Sequence, residues 1–159
     1  MTGPFLSAPM ELDPSWIDYN GHLNMAFYNV LFDRGVDEIW TALGFGPEYR
    51  EARNLSTFSA EFHLCYLREL HLGAKVRVSF QLLAHDEKRF HFYQELIHED
   101  GWISATGEGL ALHIDMSGPR VAPMPPDILA NVDKLAAAHA TLPLPERVGR
   151  KMGIPGKSP

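Results

Sequence analysis

The stretch DYNGHLN, residues 18–24, decides the fold, because clustered polar side chains and one glycine lead directly into a long apolar run. From residue 25 the apolar residues recur three and four positions apart, which predicts a helix with one buried stripe. Asn24 suits the N-cap of this helix, and Gly44, Gly46 and Pro47 supply its stop. The stripe consists of Tyr28, Phe32, Val36, Ile39, Trp40 and Leu43.

Apolar and polar residues alternate after this helix, which is the pattern of half-buried strands. Strands are predicted at about 57–66, 76–82, 89–96 and 102–115, and a further edge strand is expected at about 5–17. Short turns make neighbouring strands antiparallel, since a parallel return needs a long crossover. The residues of the first strand that are expected to face the core are Phe58, Ala60, Phe62, Leu64 and Tyr66.

The C-terminal part of the chain shows a second helical pattern. The residues from Pro126 to His139 carry apolar side chains at helical spacing behind a proline-rich start, which predicts a second helix. Residues 143–159 are rich in proline and glycine and are expected to form a loosely held tail. Residues 1–142 are therefore predicted to be a single domain.

Length, charge and cysteine content limit the class of protein. The 159 residues suit one domain, and the net charge of -6 argues against nucleic acid or an anionic membrane as partner. The single cysteine, Cys65, cannot form an internal disulfide and fits a reducing compartment. No signal peptide and no apolar run of membrane-spanning length is recognised, so a cytoplasmic location is expected.

One long buried helix against a meander of antiparallel strands is typical of an α+β fold. We expect the sheet to curl around the central helix, with the C-terminal helix added to this unit. The opposite face of the sheet carries aromatic and mixed residues, which indicates contact between subunits. A homo-oligomer is therefore expected.

The polar motif also carries a resemblance to a known family. Residues 18–24, followed by Phe27, Tyr28 and the apolar helix, resemble the hot-dog-fold thioesterases of the 4-hydroxybenzoyl-CoA thioesterase type. The resemblance extends over roughly residues 12–115. It implies a hot-dog fold, hydrolysis of a small acyl-CoA to free acid and CoA, and a homodimer or homotetramer. It implies no cofactor, since the CoA thioester is the substrate.

The resemblance assigns the catalytic carboxylate to Asp18. A carboxylate can act as general base on water, or it can attack the thioester carbon and form an anhydride. Asn20 or His22 is expected to position the water or to hydrogen-bond the carbonyl oxygen. The backbone N–H groups of Asn24 and Met25, at the start of the helix, are expected to polarise that carbonyl.

Each of these residues also has a purely structural interpretation. An Asp ahead of a helix often only forms a turn, because its side chain bonds the backbone nearby. The neighbouring histidine and amides favour catalysis for Asp18. Asn24 is favoured as an N-cap over a catalytic amide. Gly21 suits a turn with positive φ, and His22 is equally consistent with a buried histidine bonded to a carbonyl.

A second polar cluster lies on the first predicted strand, where Glu61, His63 and Cys65 share one face by parity. Glu61 and His63 are predicted to contact substrate, and Glu61 or Glu69 is a further candidate acid. Cys65 is favoured as a small packing residue. A metal site through Glu61, His63 and His91 lacks the close-spaced ligand pair of zinc sites, so no metal is expected.

Basic residues are candidates for binding the phosphates of CoA. Arg68, Lys88 and Arg89 are predicted to do so, because guanidinium and ammonium groups suit phosphate by charge and geometry. A solvent-exposed hairpin that binds no ligand is an equally good interpretation of this cluster.

The acyl group is suggested by a narrower resemblance. Residues 61–69 and 86–91 resemble the members of this family that act on betainyl-CoA in carnitine degradation. A trimethylammonium group requires aromatic faces and a nearby carboxylate. The candidate rings are Trp16, Tyr19, Phe27, Tyr28, Tyr66 and Trp102.

Other functions remain open at this point. A hydratase or dehydratase of the same fold would use Asp and His as a dyad, although those enzymes arrange the two residues differently. A non-catalytic acyl-CoA-binding module would lack the carboxylate or carry an additional DNA-binding segment, and neither is recognised in this sequence.

Overall fold

A 19-residue helix packs against an antiparallel sheet in the computed structural model, which describes residues 3–154 and 156–157. This mixed α+β arrangement confirms the predicted fold class, with a curled sheet that is not closed into a barrel. The elements in chain order are β1 (Phe5–Leu6), β2 (Met10–Glu11), a 3-10 helix (Pro14–Trp16), α1 (Met25–Leu43), α2 (Pro47–Arg53), β3 (Leu55–Tyr66), β4 (Lys75–His85), β5 (Arg89–His98), β6 (Ile103–Asp115), β7 (Arg120–Val121) and α3 (Pro126–His139).

The sheet has the strand order β1-β4-β5-β6-β3, and every pairing is antiparallel. Strand β2 also pairs with β4, and β7 pairs with β6. Strand β3 pairs with β6 on one side and is the last strand on its side of the sheet. Within residues 3–154 and 156–157, the outer edge of this 12-residue strand has no pairing partner.

The central helix has the predicted boundaries. The Asn24 side chain accepts a hydrogen bond from the Ala26 N–H at 3.0 Å, which is the N-cap bond. Gly44 closes the helix in the left-handed conformation, with φ of 98°. At mid-helix, a Cβ placed on Gly35 would lie 2.4 Å from Cβ of Val78, so the Val78 side chain of β4 packs directly on the backbone of α1.

Two sequence expectations about the strands were wrong. Strand β3 contains a bulge at Ser59–Glu61, and Phe58 and Tyr66 are 44% and 46% exposed on this strand, which is the last one on its side of the sheet in the described part of the chain. The predicted stop after Leu43 is confirmed, and the short helix α2, which the sequence did not predict, follows it with Pro47 in its first turn. In place of one long N-terminal edge strand, the structure has two short strands, β1 and β2, and each pairs with β4 through two residues.

The C-terminal helix has the predicted boundaries and packs beside α1 and β4. Its buried residues Ile128, Val132 and Leu135 join the cluster around Trp40. The segment that follows crosses the sheet face turned away from α1, where the Gln81 side chain donates to the Pro143 carbonyl and the Gly149 N–H donates to Glu108. How loosely residues 143–159 are held stays a prediction.

Candidate active site

The polar motif forms a tight turn directly ahead of α1. Ile17 and Leu23 form a β-bridge, and the Gly21 N–H donates to the Asp18 carbonyl at 2.9 Å. Gly21 has φ of 79°, which is the left-handed region that glycine enters without strain. The turn is anchored to the loop before β4, because the Leu23 N–H donates to the Leu70 carbonyl at 2.7 Å.

Both carboxylate oxygens of Asp18 accept hydrogen bonds. Oδ1 accepts from the Asn20 N–H at 2.8 Å, and Oδ2 accepts from the Asn24 side-chain amide at 3.3 Å. The carboxyl group is half-buried. Its orientation is therefore fixed from two sides, at the point where α1 begins.

Asn24 has two functions in this geometry. Its Oδ1 caps α1 through Ala26, and its Nδ2 holds Asp18. The cap interpretation is confirmed. The expected role of the Asn24 backbone amide is wrong, because that N–H donates to the Trp16 carbonyl at 2.9 Å. Across the residues that the structure describes, the Met25 N–H has no hydrogen-bond partner, as is usual for the first residue of a helix.

A cleft of about 260 Å³ opens beside the start of α1. His22 lines it and lies with Nδ1 3.3 Å from the Leu23 carbonyl. The Tyr66 hydroxyl donates to the Met25 carbonyl at 3.0 Å, and burial raises the pKa of that phenol. Arg68 also lines this cleft, and its guanidinium stacks on the Trp102 ring at 4.0 Å.

Several of the predicted aromatic contacts lie elsewhere. Trp16 is buried and stacks on Phe27, with ring centroids 5.4 Å apart, so both rings belong to the packing of the helix start. Tyr19 is 97% exposed at the tip of the turn, and Asn20 is exposed beside it. Asn20 nevertheless contributes its backbone N–H to Asp18.

Glu61 and His63 lie on the opposite face of the sheet from α1. Their strand neighbour Phe62 packs into the core, and alternate residues of a strand face opposite sides. Both line a cavity of about 460 Å³ under the C-terminal segment, together with His91 and Glu108. Glu61 and His63 therefore lie apart from the Asp18 turn of the same chain, and their predicted contact with substrate stays a prediction. Within residues 3–154 and 156–157, no three potential metal ligands converge.

The three predicted CoA-binding residues are not together. Arg68 lies next to the Asp18 turn. Lys88 immediately precedes β5 and Arg89 is its first residue, whereas the opposite end of β5 is the end that lies near this turn. The ten residues of β5 separate the two groups by about 30 Å. Arg89 is paired with Asp86, and Lys88 lies 3.3 Å from Glu87. Arg68 is thus the one of the three that lies at this end of the sheet.

A second cavity near α1 was missed from the sequence. It measures about 350 Å³ and opens between the helix and the edge of the sheet. Asp33 and Asn29 are the exposed helix residues at its rim, and the sequence pattern does not indicate them because they stand outside the apolar stripe. The remaining lining residues are Val30, Phe32, Val36, Ser59, Phe62, Phe92 and Gln94.

Comparison with known proteins gives consistent similarities. Residues 12–132 match the family model described as the thioesterase-like superfamily. The chain is 43% identical to a betainyl-CoA thioesterase of Pseudomonas aeruginosa, over 89% of this chain and 90% of that protein. It is 34% identical to an L-carnitine dehydrogenase/betainyl-CoA thioesterase of Rhizobium meliloti, over 96% of this chain but 31% of that longer protein.

A solved structure shares the whole architecture. A Staphylococcus aureus protein in complex with CoA superposes with a TM-score of 0.90 at 28% identity, over 98% of both chains. In the part of the chain that the structure covers, none of the helices has the length and apolar character needed to span a membrane.

Proposed function

This chain belongs to the thioesterase-like superfamily and is an acyl-CoA thioesterase, and from that premise we propose that it hydrolyses betainyl-CoA with Asp18 as the reacting carboxylate. Similarity to the Pseudomonas betainyl-CoA thioesterase over nearly the full length of both chains supports the substrate. The observation that carries the role of Asp18 is its orientation by Asn20 and Asn24 at the start of α1.

The chemistry uses the carboxylate in one of two ways. As a general base, Asp18 takes a proton from water while the water oxygen bonds to the thioester carbon, and the carbon–sulfur bond then breaks to release CoA. As a nucleophile, Asp18 displaces the CoA thiolate and forms a mixed anhydride that water cleaves. Label found in the Asp18 carboxylate after one turnover in oxygen-18 water would establish the nucleophilic route, because water that attacks the aspartyl carbon of the anhydride leaves its oxygen there, whereas the general-base route places it in the released acid.

The backbone of α1 supports the same reaction. We assign the Met25 N–H to the thioester oxygen, because an unpaired amide at a helix start favours developing negative charge. His22, in the adjacent cleft, is the side chain proposed to bind the same oxygen or the water. Arg68 is the basic residue proposed to contact CoA at this end of the sheet.

No cofactor takes part in the proposed reaction. A carboxylate and a helix amide supply the proton transfer and the charge stabilisation that hydrolysis needs. Exhaustive dialysis against EDTA is therefore expected to leave kcat/KM unchanged. A loss of activity that added metal restores would contradict this part of the proposal.

We propose that the protein works as a homodimer or a larger assembly of dimers, joined along β3. Among the described residues of one chain, none pairs with the outer edge of this 12-residue strand, which carries the half-exposed rings of Phe58 and Tyr66. Light scattering after size exclusion is expected to give twice or four times the 17.8 kDa chain mass. A monomer at micromolar concentration would contradict the proposed assembly.

We expect the reaction to take place in the cytoplasm, which agrees with the one unpaired cysteine, Cys65. Cell fractionation tests this location. Recovery of the protein outside the cytoplasmic fraction would contradict it.

A substrate panel tests the proposed function. Release of free thiol from betainyl-CoA, acetyl-CoA and butyryl-CoA is measured under the same conditions, and betainyl-CoA is expected to have the highest kcat/KM. Equal or faster cleavage of the other two would contradict the proposed substrate. No thiol release from any acyl-CoA would favour the hydratase or the non-catalytic binding module instead.

A further inference from the structure

The Arg68 guanidinium lies on a stack of two aromatic rings beside the cleft at the start of α1. Its Cζ is 4.0 Å from the centroid of the Trp102 ring. The His98 ring lies nearly parallel to Trp102, with centroids 4.3 Å apart and 12° between the planes. Because β6, which follows Trp102, lies between β5 and β3, His98 and Arg68 approach the indole from opposite sides. The orientation of Trp102 is therefore fixed from both sides, and Arg68 stacks on a fixed surface.

The backbone of Arg68 is fixed as well. Its N–H donates to the Ser104 carbonyl at 3.0 Å, and the hydroxyl of the buried Ser104 donates to the Arg68 carbonyl at 2.7 Å. Both ends of this long side chain are thus held before any ligand arrives. A ligand that binds the guanidinium therefore needs little further ordering of the side chain.

The N–H groups of this guanidinium are available to a ligand. In the described ranges, Arg68 takes part in no ion pair, and its side chain makes no hydrogen bond. Stacking occupies the face of the group, whereas the donors point outward in the plane of the guanidinium. The adjacent cleft, which Arg68 lines, is the place where these donors can meet an acceptor.

The charge of the cleft favours a neutral acceptor. Arg68 is the one Lys or Arg residue among the described residues that line it, and the Glu69 carboxylate lines it too. The diphosphate and the 3'-phosphate of CoA carry several negative charges and require more than one cation. The pantetheine arm of CoA is uncharged, and its two amide carbonyls accept hydrogen bonds.

The size of the cleft points to the same part of CoA. Met25, whose N–H is proposed to bind the thioester oxygen, lines the cleft together with Arg68. At about 260 Å³ the cleft is smaller than the sites of about 300–1,000 Å³ that enclose a drug-sized ligand. The arm from sulfur to diphosphate is about as long as four extended residues, roughly 14 Å. With the thioester at Met25, the amides of the arm therefore pass Arg68 and the phosphates lie outside the cleft.

We propose that Arg68 donates hydrogen bonds to an amide carbonyl of the pantetheine arm and that Trp102 is the positioning residue that holds Arg68 for this contact. This inference rests on the proposed hydrolysis of acyl-CoA at the start of α1, but not on the identity of the acyl group. The contact is made far from the reacting carbon and is the same before and during the reaction. Its loss should therefore raise KM and leave kcat unchanged.

Thioesters that carry less of the CoA molecule test which part Arg68 binds. KM is measured for the CoA ester that the wild type cleaves fastest, for the pantetheine ester of the same acid, and for its ethyl thioester. Arg68→Met is expected to raise KM about tenfold, and by the same factor, for the CoA and pantetheine esters. The ethyl thioester lacks both amides, so its kcat/KM should not change.

Arg53→Met is the matched control. The Arg53 guanidinium also lies over an aromatic ring, 5.6 Å from the centroid of Tyr49, but Arg53 does not line the cleft. This variant should retain the wild-type KM for all three thioesters. A rise in KM as large as that of Arg68→Met would show that the effect is not specific to the cleft and would overturn the assignment.

Substitution of Trp102 tests the positioning role. Trp102→Leu should raise KM for the pantetheine ester several-fold with kcat unchanged, whereas Trp102→Phe retains a ring and should keep most of the wild-type affinity. Added to Arg68→Met, Trp102→Leu should raise KM no further, because Trp102 acts through Arg68. A further rise by the same factor in the double variant would show that Trp102 acts independently and would overturn this role.

The outcomes distinguish this inference from the proposed function. A rise in KM for the CoA ester alone, an unchanged KM for all three esters, or a wild type that cleaves the CoA ester but not the pantetheine ester overturns the inference, while thioester hydrolysis stands. An equal loss of kcat/KM on the ethyl thioester also overturns it, because Arg68 then acts at the thioester itself. A wild type that releases no thiol from any acyl-CoA overturns the proposed function and this inference with it.

Discussion

Asn24 connects the stability of the central helix with the orientation of the reacting carboxylate. One side-chain atom caps α1 and the other holds Asp18 Oδ2 at 3.3 Å. Serine is also a good N-cap acceptor but is too short to keep the bond to Asp18. The two functions can therefore be separated by mutation.

We predict that Asn24→Ser retains the stability of the fold but loses activity. Its free energy of unfolding in urea should stay within about 0.5 kcal/mol of the wild type, whereas Asn24→Ala should lose about 1 kcal/mol. Both variants should show a reduced kcat for thiol release, because Asp18 loses one of its two hydrogen bonds. A fully active Asn24→Ser variant would show that this bond does not contribute to catalysis.

His139 makes stability depend on pH. This buried side chain accepts a hydrogen bond from the Leu82 N–H at Nδ1, at 2.9 Å, so its neutral form is the one that fits. Burial lowers its pKa in the folded state. The unfolded chain therefore binds the proton first, and the free energy of unfolding should fall as pH decreases below about 6.5.

His139→Asn tests this linkage, because an amide oxygen can replace the Nδ1 acceptor without titrating. Urea unfolding at several pH values between 5 and 8 should show a shallower decrease below pH 6.5 for the variant than for the wild type. Identical slopes would contradict the assignment to His139.

At the residue scale, the sequence predicted the local part of the site and missed the distant part. Asp18, Gly21 and Asn24 lie within seven residues, so turn and cap chemistry predicted their geometry directly. Asp33 lines the same cavity as Phe92, and that arrangement depends on how the helix lies over the sheet. No local pattern indicates it.

Gly35 sets the distance between α1 and the sheet, since its missing side chain lets the helix touch Val78. We predict that Gly35→Ala destabilises the fold by about 1–3 kcal/mol through overpacking, in spite of the better helix propensity of alanine. Thermal unfolding measures the loss. The double variant with Val78→Ala should recover part of it, and the absence of any recovery would contradict a direct contact.

At the element scale, the two long helices were predicted with their ends because caps and prolines mark them in the sequence. The sequence predicted that β3 is a strand, but it did not predict which of its residues are buried. Parity indicates which residues share a face, but it does not tell whether another layer covers that face. The bulge at Ser59–Glu61 also breaks the parity itself.

At the scale of the whole molecule, the polar clusters of the sequence divide between the ends and faces of the sheet. Because of the direction in which β5 runs, Arg89 lies at one end of the sheet and the Asp18 turn lies at the other end. Because its neighbour Phe62 faces the core, His63 lies on the face of the sheet turned away from α1. Such separations follow from the strand order, which composition and spacing do not specify.

The C-terminal segment provides a further prediction for the whole chain. Arg150 and Lys151 are exposed, just beyond the hydrogen bond between Gly149 and Glu108. Trypsin under native conditions should therefore cut first at these two residues and leave a folded fragment that contains residues 1–142. Early cleavage at Arg77 or Arg120 would contradict a single domain over that range.

The most direct test of the central claim compares wild type with Asp18→Asn in thiol release from betainyl-CoA. The carboxylate is required for either route, so kcat is expected to fall by about a thousandfold, while the melting temperature stays within a few degrees of the wild type. An Asp18→Asn variant that folds and keeps full activity, with no reversion to Asp by mass spectrometry, would contradict the account.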